Sequence, residues 1–218
     1  MTESPCLHLL VATRSPGKVA ELRRLFEGLP LSLLTPSEFG SLPRVDEDGE
    51  SFEHNARNKA CVLATASGLL ALADDSGLEV DALGGAPGVV SARFAGPRAS
   101  DEDNNRALLA RLDRVPLDLR SARFRCVLAL AEPAASLRPR VQIAHGVCEG
   151  RVALQPRGRG GFGYDPLFVP RGMTLTMAEV DPETKNRISH RARAAATMRT
   201  HLQTRLGYQR PKPTCKLL

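Results

Sequence analysis

At 218 residues, 42% hydrophobic and 25% charged, the chain has an ordinary globular composition and enough length to bury a full core, which argues against disorder. No apolar stretch reaches the roughly 18 to 20 residues a membrane helix needs, and an N-terminus with Glu3 and no long apolar run does not read as a signal peptide, so a cytoplasmic protein without membrane contact is expected. A formal charge of +6 and a pI near 9.4 favour anionic ligands, but 4% aromatic residues and no Trp give a stacking platform little to build on, so a stable nucleic-acid partner is not expected.

Leu7 to Ala12 reads as a buried strand, and the polar loop Thr13-Arg14-Ser15-Pro16-Gly17-Lys18 joins it to a helix with Val19, Leu22, Leu25 and Phe26 on its apolar face. Hydroxyls, free amides and an ammonium therefore gather at a helix N-terminus, where the dipole attracts phosphate. Pro16 suits the first turn, since its missing amide would be unpaired there anyway. This is not a P-loop: the first glycine of GxxxxGK[ST] is absent, and Val19 stands where Ser or Thr would be. After the Pro-, Gly- and acid-rich stretch 35–50, which contains Asp46-Glu47-Asp48, the recurrence of Ala56, Ala60, Leu63 and Ser67 predicts a second helix.

That helix leads into Leu70 to Ala73, an apolar run that meets Asp74 and Asp75. Two adjacent carboxylates are hard to desolvate together unless a cation or a shared proton compensates. The pair is expected at a strand's exit, holding a divalent metal, with Ser76 and Gly77 turning the backbone sharply toward a ligand. A helix N-cap or a solvated turn is the alternative for the pair taken alone.

Residues 82–97 read as an extended loop with short strand pieces, and Ser100 with Asp103 forms a capping box that opens a helix through Leu108, Leu109 and Leu112. Residues 122–131 and 140–148 alternate as a strand and its hairpin partner, with a turn between Pro133 and Pro139. The glycine cluster at 158–163 lets backbone amides approach a ligand, and Phe162 and Tyr164 are placed to sandwich a planar base. One last helix is expected to carry Ile188, Ala192, Ala195, Ala196, Leu202 and Leu206. At its start, Ser189-His190-Arg191 offers donors suited to base carbonyls. Residues 208–218 are expected to form a flexible tail after a single domain at 1–207. Strands and helices mix irregularly, so the class is α/β or α+β with a substantial mixed sheet.

The five cysteines are odd in number, scattered and without CxxC spacing, which supports neither a disulfide framework nor a zinc site; Cys126 and Cys148 are expected in the core. Of 30 Lys plus Arg only five are Lys, at 18, 59, 185, 212 and 216. The three outside the C-terminal segment each fall in a polar motif. Where so Arg-biased a chain keeps Lys, the compact ammonium itself is indicated, as a point charge on phosphate; chance placement is the alternative. Lys18, Lys59 and Lys185, with the hard oxygens of Asp46, Glu47, Asp74 and Asp75, are the ingredients of phosphate-ester chemistry: carboxylates for a magnesium ion and ammoniums for the remaining phosphate oxygens.

Six motifs in order resemble the inosine/xanthosine triphosphate pyrophosphatases: Thr13 to Lys18; Ser51-Phe52 to Asn55-Ala56 with Lys59-Ala60; Ala73 to Leu78; Leu83 to Gly88; Gly161 to Pro166; and Ile188 to Arg191. The resemblance runs from about residue 7 to 206. It implies an elongated mixed sheet in two lobes, a nucleotide cleft between them and a homodimer. By position it implies Asp75 as proton acceptor and metal ligand, Glu47 as the second acidic ligand with Asp46 a close rival, and Lys18, Lys59 and Lys185 on the triphosphate. The loop Thr13, Arg14, Ser15, Pro16, Gly17 and Lys18, together with Asn55 and Ser76, would contact the nucleotide, and Phe162, Gly163, Tyr164, Asp165, His190 and Arg191 would hold and read the base. Two departures stand out: Arg14-Ser15 where the family usually has Gly-Asn, and His54 where it has Glu. The expected reaction is Mg2+-dependent cleavage of ITP, dITP and XTP between the α and β phosphates, with Mn2+ able to replace Mg2+. The rivals are a related pyrophosphatase acting on methylated pyrimidine nucleotides and a non-enzymatic nucleotide or nucleic-acid binder.

Overall fold

The computed structural model describes residues 6–39, 41–133 and 139–207; the expected tail and the interior of the 133–139 turn lie outside the described residues. In chain order come β1 (Leu7–Val11), α1 (Pro16–Leu25), β2 (Leu31–Leu34), α2 (Phe52–Ser67), β3 (Leu70–Val80), α3 (Asp101–Arg111), β4 (Ser121–Ala131), β5 (Val141–Val152), β6 (Phe168–Pro170), α4 (Pro182–Ile188) and α5 (His190–Arg205). The strands make one sheet in the order β2-β1-β3-β4-β5-β6. β1 runs parallel to β2 and β3, and the remaining pairs are antiparallel. The mixed α/β class expected from the sequence holds.

α1 and α5 cover one face of the sheet through Leu22, Phe26, Ala194, Met198 and Leu202. α2 covers the other through Ala56, Ala60 and Leu63. The chain thus leaves β1 for β2 over one face and reaches β3 over the opposite face. β1 and β3 therefore meet at a topological switch point, where ligands of open α/β sheets bind beyond the carboxyl ends of the strands. Pairing of β1 with β3 stops at Val11↔Leu72, and the Thr13 to Ser15 loop then diverges, so β3 presents an open edge from Asp74 to Gly77, before Leu78 N donates to Ser91 Oγ and Glu79 bridges to Pro87.

The two-residue period of β3 sorts its side chains. Leu70 and Leu72 join the α1/α5 cluster, and Leu78 and Val80 join a separate cluster built with Leu108 of α3, Leu112 at its C-cap, Phe124, Tyr164 and Phe168. Between these apolar pairs, at the same period, stand Asp74 and Ser76. Ala71 and Ala73 face α2, and with them, by alternation, Asp75 and Gly77. Leucines at positions 74 and 76 would each contribute about 1.5 to 3 kcal/mol of burial; the sheet forgoes that gain where the two apolar clusters part.

Several expectations are corrected. β3 does not exit at the Asp pair: it continues to Val80, paired with β4 as Asp74↔Leu128, Asp75↔Val127, Ser76↔Cys126 and Gly77↔Arg125. Ser76 and Gly77 therefore make no turn. Gly77 is needed for close packing, since a Cβ there would meet the Gly88 carbonyl and the Ser91 Oγ at 2.5 Å. Residues 82–97 hold short 3-10 turns at Asp81–Leu83 and Gly88–Arg93, with a single bridge, Glu79↔Pro87. The last helix is two, because Ser189 has extended backbone and its Oγ accepts from Ala192 N at 3.1 Å, capping a new helix. β2 and β6 were not anticipated; Cys126 and Cys148 are buried, as expected.

Candidate functional site

Because Asp74 and Asp75 point to opposite faces of β3, adjacent carboxylates acquire different chemistry. Asp74 is enclosed by cations. Its Oδ1 lies 2.5 Å from Lys18 Nζ and its Oδ2 accepts from Arg191 Nε at 2.7 Å. The Ser76 hydroxyl donates to Oδ1 at 2.7 Å, and Cys126 Sγ lies 3.4 Å from Oδ2. Burial opposes its ionisation, but Arg191 and Lys18 outweigh burial and hold the carboxyl well below the usual carboxylate range.

Asp75 is also buried, 4% exposed, yet its Oδ2 has no hydrogen-bond partner. Burial, reinforced by the Glu47 carboxylate, pushes its pKa up to about 6 against the pull of Lys18 and Lys59. The Asn55 amide lies beside it and favours the anion, without completing a hydrogen bond from its buried Nδ2. Asn55 Oδ1 instead accepts from Gly49 N at 2.9 Å, anchoring the acidic loop to α2. Arg93 donates to the Glu47 carbonyl at 2.6 Å. The Glu47 carboxylate is held by Lys59, whose ammonium also donates to the Asp74 carbonyl at 3.3 Å on the open strand edge.

The four-carboxylate metal set expected from the sequence is therefore not assembled. Asp74 is committed to Lys18 and Arg191. Asp46 is 81% exposed and only 3.9 Å from Arg44. Among the described residues no group of three His, Cys, Asp or Glu converges for a metal. Asp75 and Glu47 border one cavity, whereas Asp46 lines only the adjoining one.

The remaining cations form a buried chain of alternating charge. Arg191, 1% exposed, reaches Asp74 on one side and places Nη1 2.5 Å from Glu21 Oε2 on the other. Glu21 Oε1 then lies 2.7 Å from Lys185 Nζ, which is 2.5 Å from Asp165 Oδ2. Lys18, Asp74, Arg191, Glu21, Lys185 and Asp165 thus alternate in sign from the first helix to the last. Such an arrangement compensates desolvation only while complete. Glu21 was missed by the sequence reading, where a charge on α1 reads as solvent-facing; the available signal was its spacing, one helical turn after Lys18.

A cavity of about 340 Å3 brings together Lys18, Lys59, Asp75, Phe162, Lys185 and His190. Thr13, Arg14, Ser15, Ser76, Gly163, Tyr164, Asp165 and Arg191 also border it. A second cavity of about 650 Å3 adjoins it at Thr13, Arg14, Glu47 and Lys59. Ser15 caps α1, accepting from Lys18 N at 3.5 Å, with Pro16 in the first turn. Gly17 lets the Phe162 ring lie against the loop, since a Cβ there would be 2.5 Å from the ring. Lys185 Nζ and Arg191 Cζ stand 4.9 and 5.6 Å from the Phe162 centroid, within cation–π range.

Tyr164 does not form the second jaw expected around a base. It is 4% exposed, packs in the α3 cluster and donates its hydroxyl to the Ser91 carbonyl at 2.8 Å. His190 stacks on Phe124 at 4.7 Å, and burial, with the neighbouring Arg191, holds it well below the usual imidazole range, hence neutral at pH 7. Its Nδ1 is buried without a partner.

Replacing Lys18 by Arg is expected to lower turnover by about tenfold or more although charge is kept. A planar fork cannot occupy the point contact on Asp74 and still present donors to the cavity in the same geometry. Steady-state rates of the purified variant check this, and unchanged turnover would show that the ammonium is not specifically required.

The sequence pattern of the Ham1 family matches residues 9–201. A relative from Geobacter sulfurreducens described as a dITP/XTP pyrophosphatase is 50% identical, spanning 89% of this chain and 96% of its own length. One of the same description from Methylococcus capsulatus is 49% identical over 91% of this chain and 98% of its own. The solved structure of a HAM1 protein from Coxiella burnetii superposes with a TM-score of 0.81 at 42% identity, covering 91% of this chain and 99% of that one.

Proposed function

The chain belongs to the Ham1 family, and from that premise we propose that it hydrolyses non-standard purine nucleoside triphosphates, ITP, dITP and XTP, to the monophosphate and pyrophosphate. The observation that carries this reading is Asp75: a buried carboxylate with an unpartnered oxygen and a pKa raised to about 6, facing a cavity that also gathers Lys18, Lys59 and Lys185. A general base is most effective with its pKa near the working pH. In this reading Asp75 takes the proton of the attacking water, and the lysines hold the phosphates.

The Asp75 oxygen without a partner and the nearby Glu47 carboxylate are hard donors of the kind Mg2+ or Mn2+ takes. When bound there, the ion supplies charge neutralisation on the phosphates. With two protein carboxylates only, its remaining positions would go to water and phosphate oxygens. For the base, Phe162 offers a face and His190 a neutral ring with an unsatisfied nitrogen. Arg191 has less to offer than the sequence suggested, because Asp74, Glu21 and Ser76 already engage all three of its nitrogens. No helix among the described residues is long and apolar enough to cross a membrane. A cytoplasmic homodimer with one bilobed domain completes the proposal.

Pyrophosphate release with ITP, XTP, GTP, ATP and a methylated pyrimidine triphosphate at equal concentration tests it. The 6-carbonyl of inosine and xanthine accepts where adenine's amino group donates, and mismatched polar partners in a closed site discriminate by roughly 10⁴-fold in kcat/KM. ITP and XTP are expected to exceed ATP by about that factor. Comparable rates on ATP, a preference for the methylated pyrimidine, or no release from any nucleotide would each reject the reading.

A further inference from the structure

Helix α3 has no part in the site as described so far, yet its first two turns hold both walls of the cleft. Asn104 and Asn105 are buried. Asn104 Oδ1 accepts from Ala95 N at 2.9 Å and its Nδ2 donates to the Ala92 carbonyl at 3.2 Å, fixing the 88–95 segment. Asn105 Nδ2 donates to the Gly163 carbonyl at 2.9 Å, and Asp101 Oδ2 accepts from Gly163 N at 2.6 Å. Both backbone groups of the residue that follows Phe162 are thus held by one helix. Leu108 and Leu112 seat that helix in the core, and Arg120 donates to the Leu112 carbonyl at 2.6 Å.

The loop 157–166 has no ladder of its own, so the direction of Phe162 must be set by groups outside the strands. Asp165 takes the Phe162 amide at 2.9 Å; α3 fixes the other flank. We propose that Asp101 and Asn105 are positioning residues for base recognition, clasping Gly163 so that Phe162 faces the cavity in one orientation. The two arms differ. Asn105 is buried, whereas Asp101 is exposed and borders the cavity, so the Asp101 contact is the one that loosens without disturbing the core. The clasp rests on the proposed function and adds to it the residues that hold the base-facing ring.

The test is a double-mutant cycle on the full chain with ITP. Asp101→Ala and Asn105→Ala are each expected to raise KM for ITP by about tenfold with kcat changed less than about threefold, because a uniformly used binding contact is lost. Asp101→Asn, which keeps an acceptor oxygen, is expected to restore most of the affinity. In a Phe162→Ala background neither alanine should cost anything further, since the ring they position is gone. Losses of equal size in both backgrounds overturn the clasp, as does failure of Asp101→Asn to rescue. Should Asn105→Ala not fold, the exposed Asp101 pair decides alone. Amide exchange at Gly163 gives a readout apart from activity and should quicken in Asp101→Ala; unchanged exchange overturns the proposal. An active wild type with additive losses rejects the clasp alone, whereas a wild type that releases no pyrophosphate from ITP rejects the proposed function and the clasp with it.

Discussion

Asp75→Asn is expected to lower turnover by about 10² to 10⁴-fold while making the metal-free protein more stable above pH 6. The amide keeps the shape and removes the proton acceptor. The stability gain follows from the raised pKa. An unfolded Asp titrates near 3.8 and the folded one at about 6, so the native state binds more protons between those values and stability is lost as pH rises through them. Above both, the ionised carboxylate costs about 3 kcal/mol in the fold. Asparagine removes that cost, and the melting temperature in chelator should exceed wild type by about 5 °C or more at pH 8, with the gap closing near pH 4. A variant that keeps near-normal turnover would reject the catalytic assignment, and one that melts lower at pH 8 would reject the electrostatic one.

One residue earlier the sign reverses. Asp74→Asn is expected to destabilise the chain by about 3 to 5 kcal/mol, because Arg191 and Lys18 would keep their buried charges without the carboxylate between them. With its pKa held below the ordinary value, the wild-type carboxylate contributes stability that is present above about pH 3.8 and fades as the pH falls through the folded pKa. The variant should therefore differ most from wild type at neutral pH and least in strong acid. Urea titrations at pH 7 and at the lowest pH where wild type stays folded measure both points. A loss below about 1 kcal/mol at pH 7 would mean that the charges of Arg191 and Lys18 are accommodated without Asp74 and would reject the assignment.

The residues that carry this contrast were legible in the sequence, but their arrangement was not. Three lysines in an Arg-biased chain all border one cavity, as the chemistry of a point charge suggested. The capping box at Ser100 and the strand-to-helix loop at Thr13 to Lys18 were readable because caps and prolines act locally. β3 was read too short because two charges look like a strand's end. Only the cations of α1, α2 and α5, distant in sequence, let the strand continue. β2 escaped because four residues between Pro30 and Pro36 carry too little period to register. The break at Ser189 escaped because apolar spacing runs on across it. Glu21 and the Asn104-Asn105 pair escaped because a polar residue on a helix reads as solvated until its buried partner is known.

The alternating charge chain also bears on how the protein is made. Glu21 pairs with Arg191 across 170 positions, and Asp74 waits for the same arginine across 117. A chain leaving the ribosome from its N-terminus holds Lys18 and Asp74 long before Lys185 and Arg191 exist. Until α4 and α5 emerge, Glu21 lacks both of its cations and Asp74 has Lys18 but not Arg191, so the native packing of α1 against the sheet is expected to be a late event in synthesis. Contacts of such long sequence separation fold slowly and leave strand edges exposed meanwhile. Completion of the cleft is thereby tied to completion of the polypeptide, and a product truncated before α5 has no means of closing it.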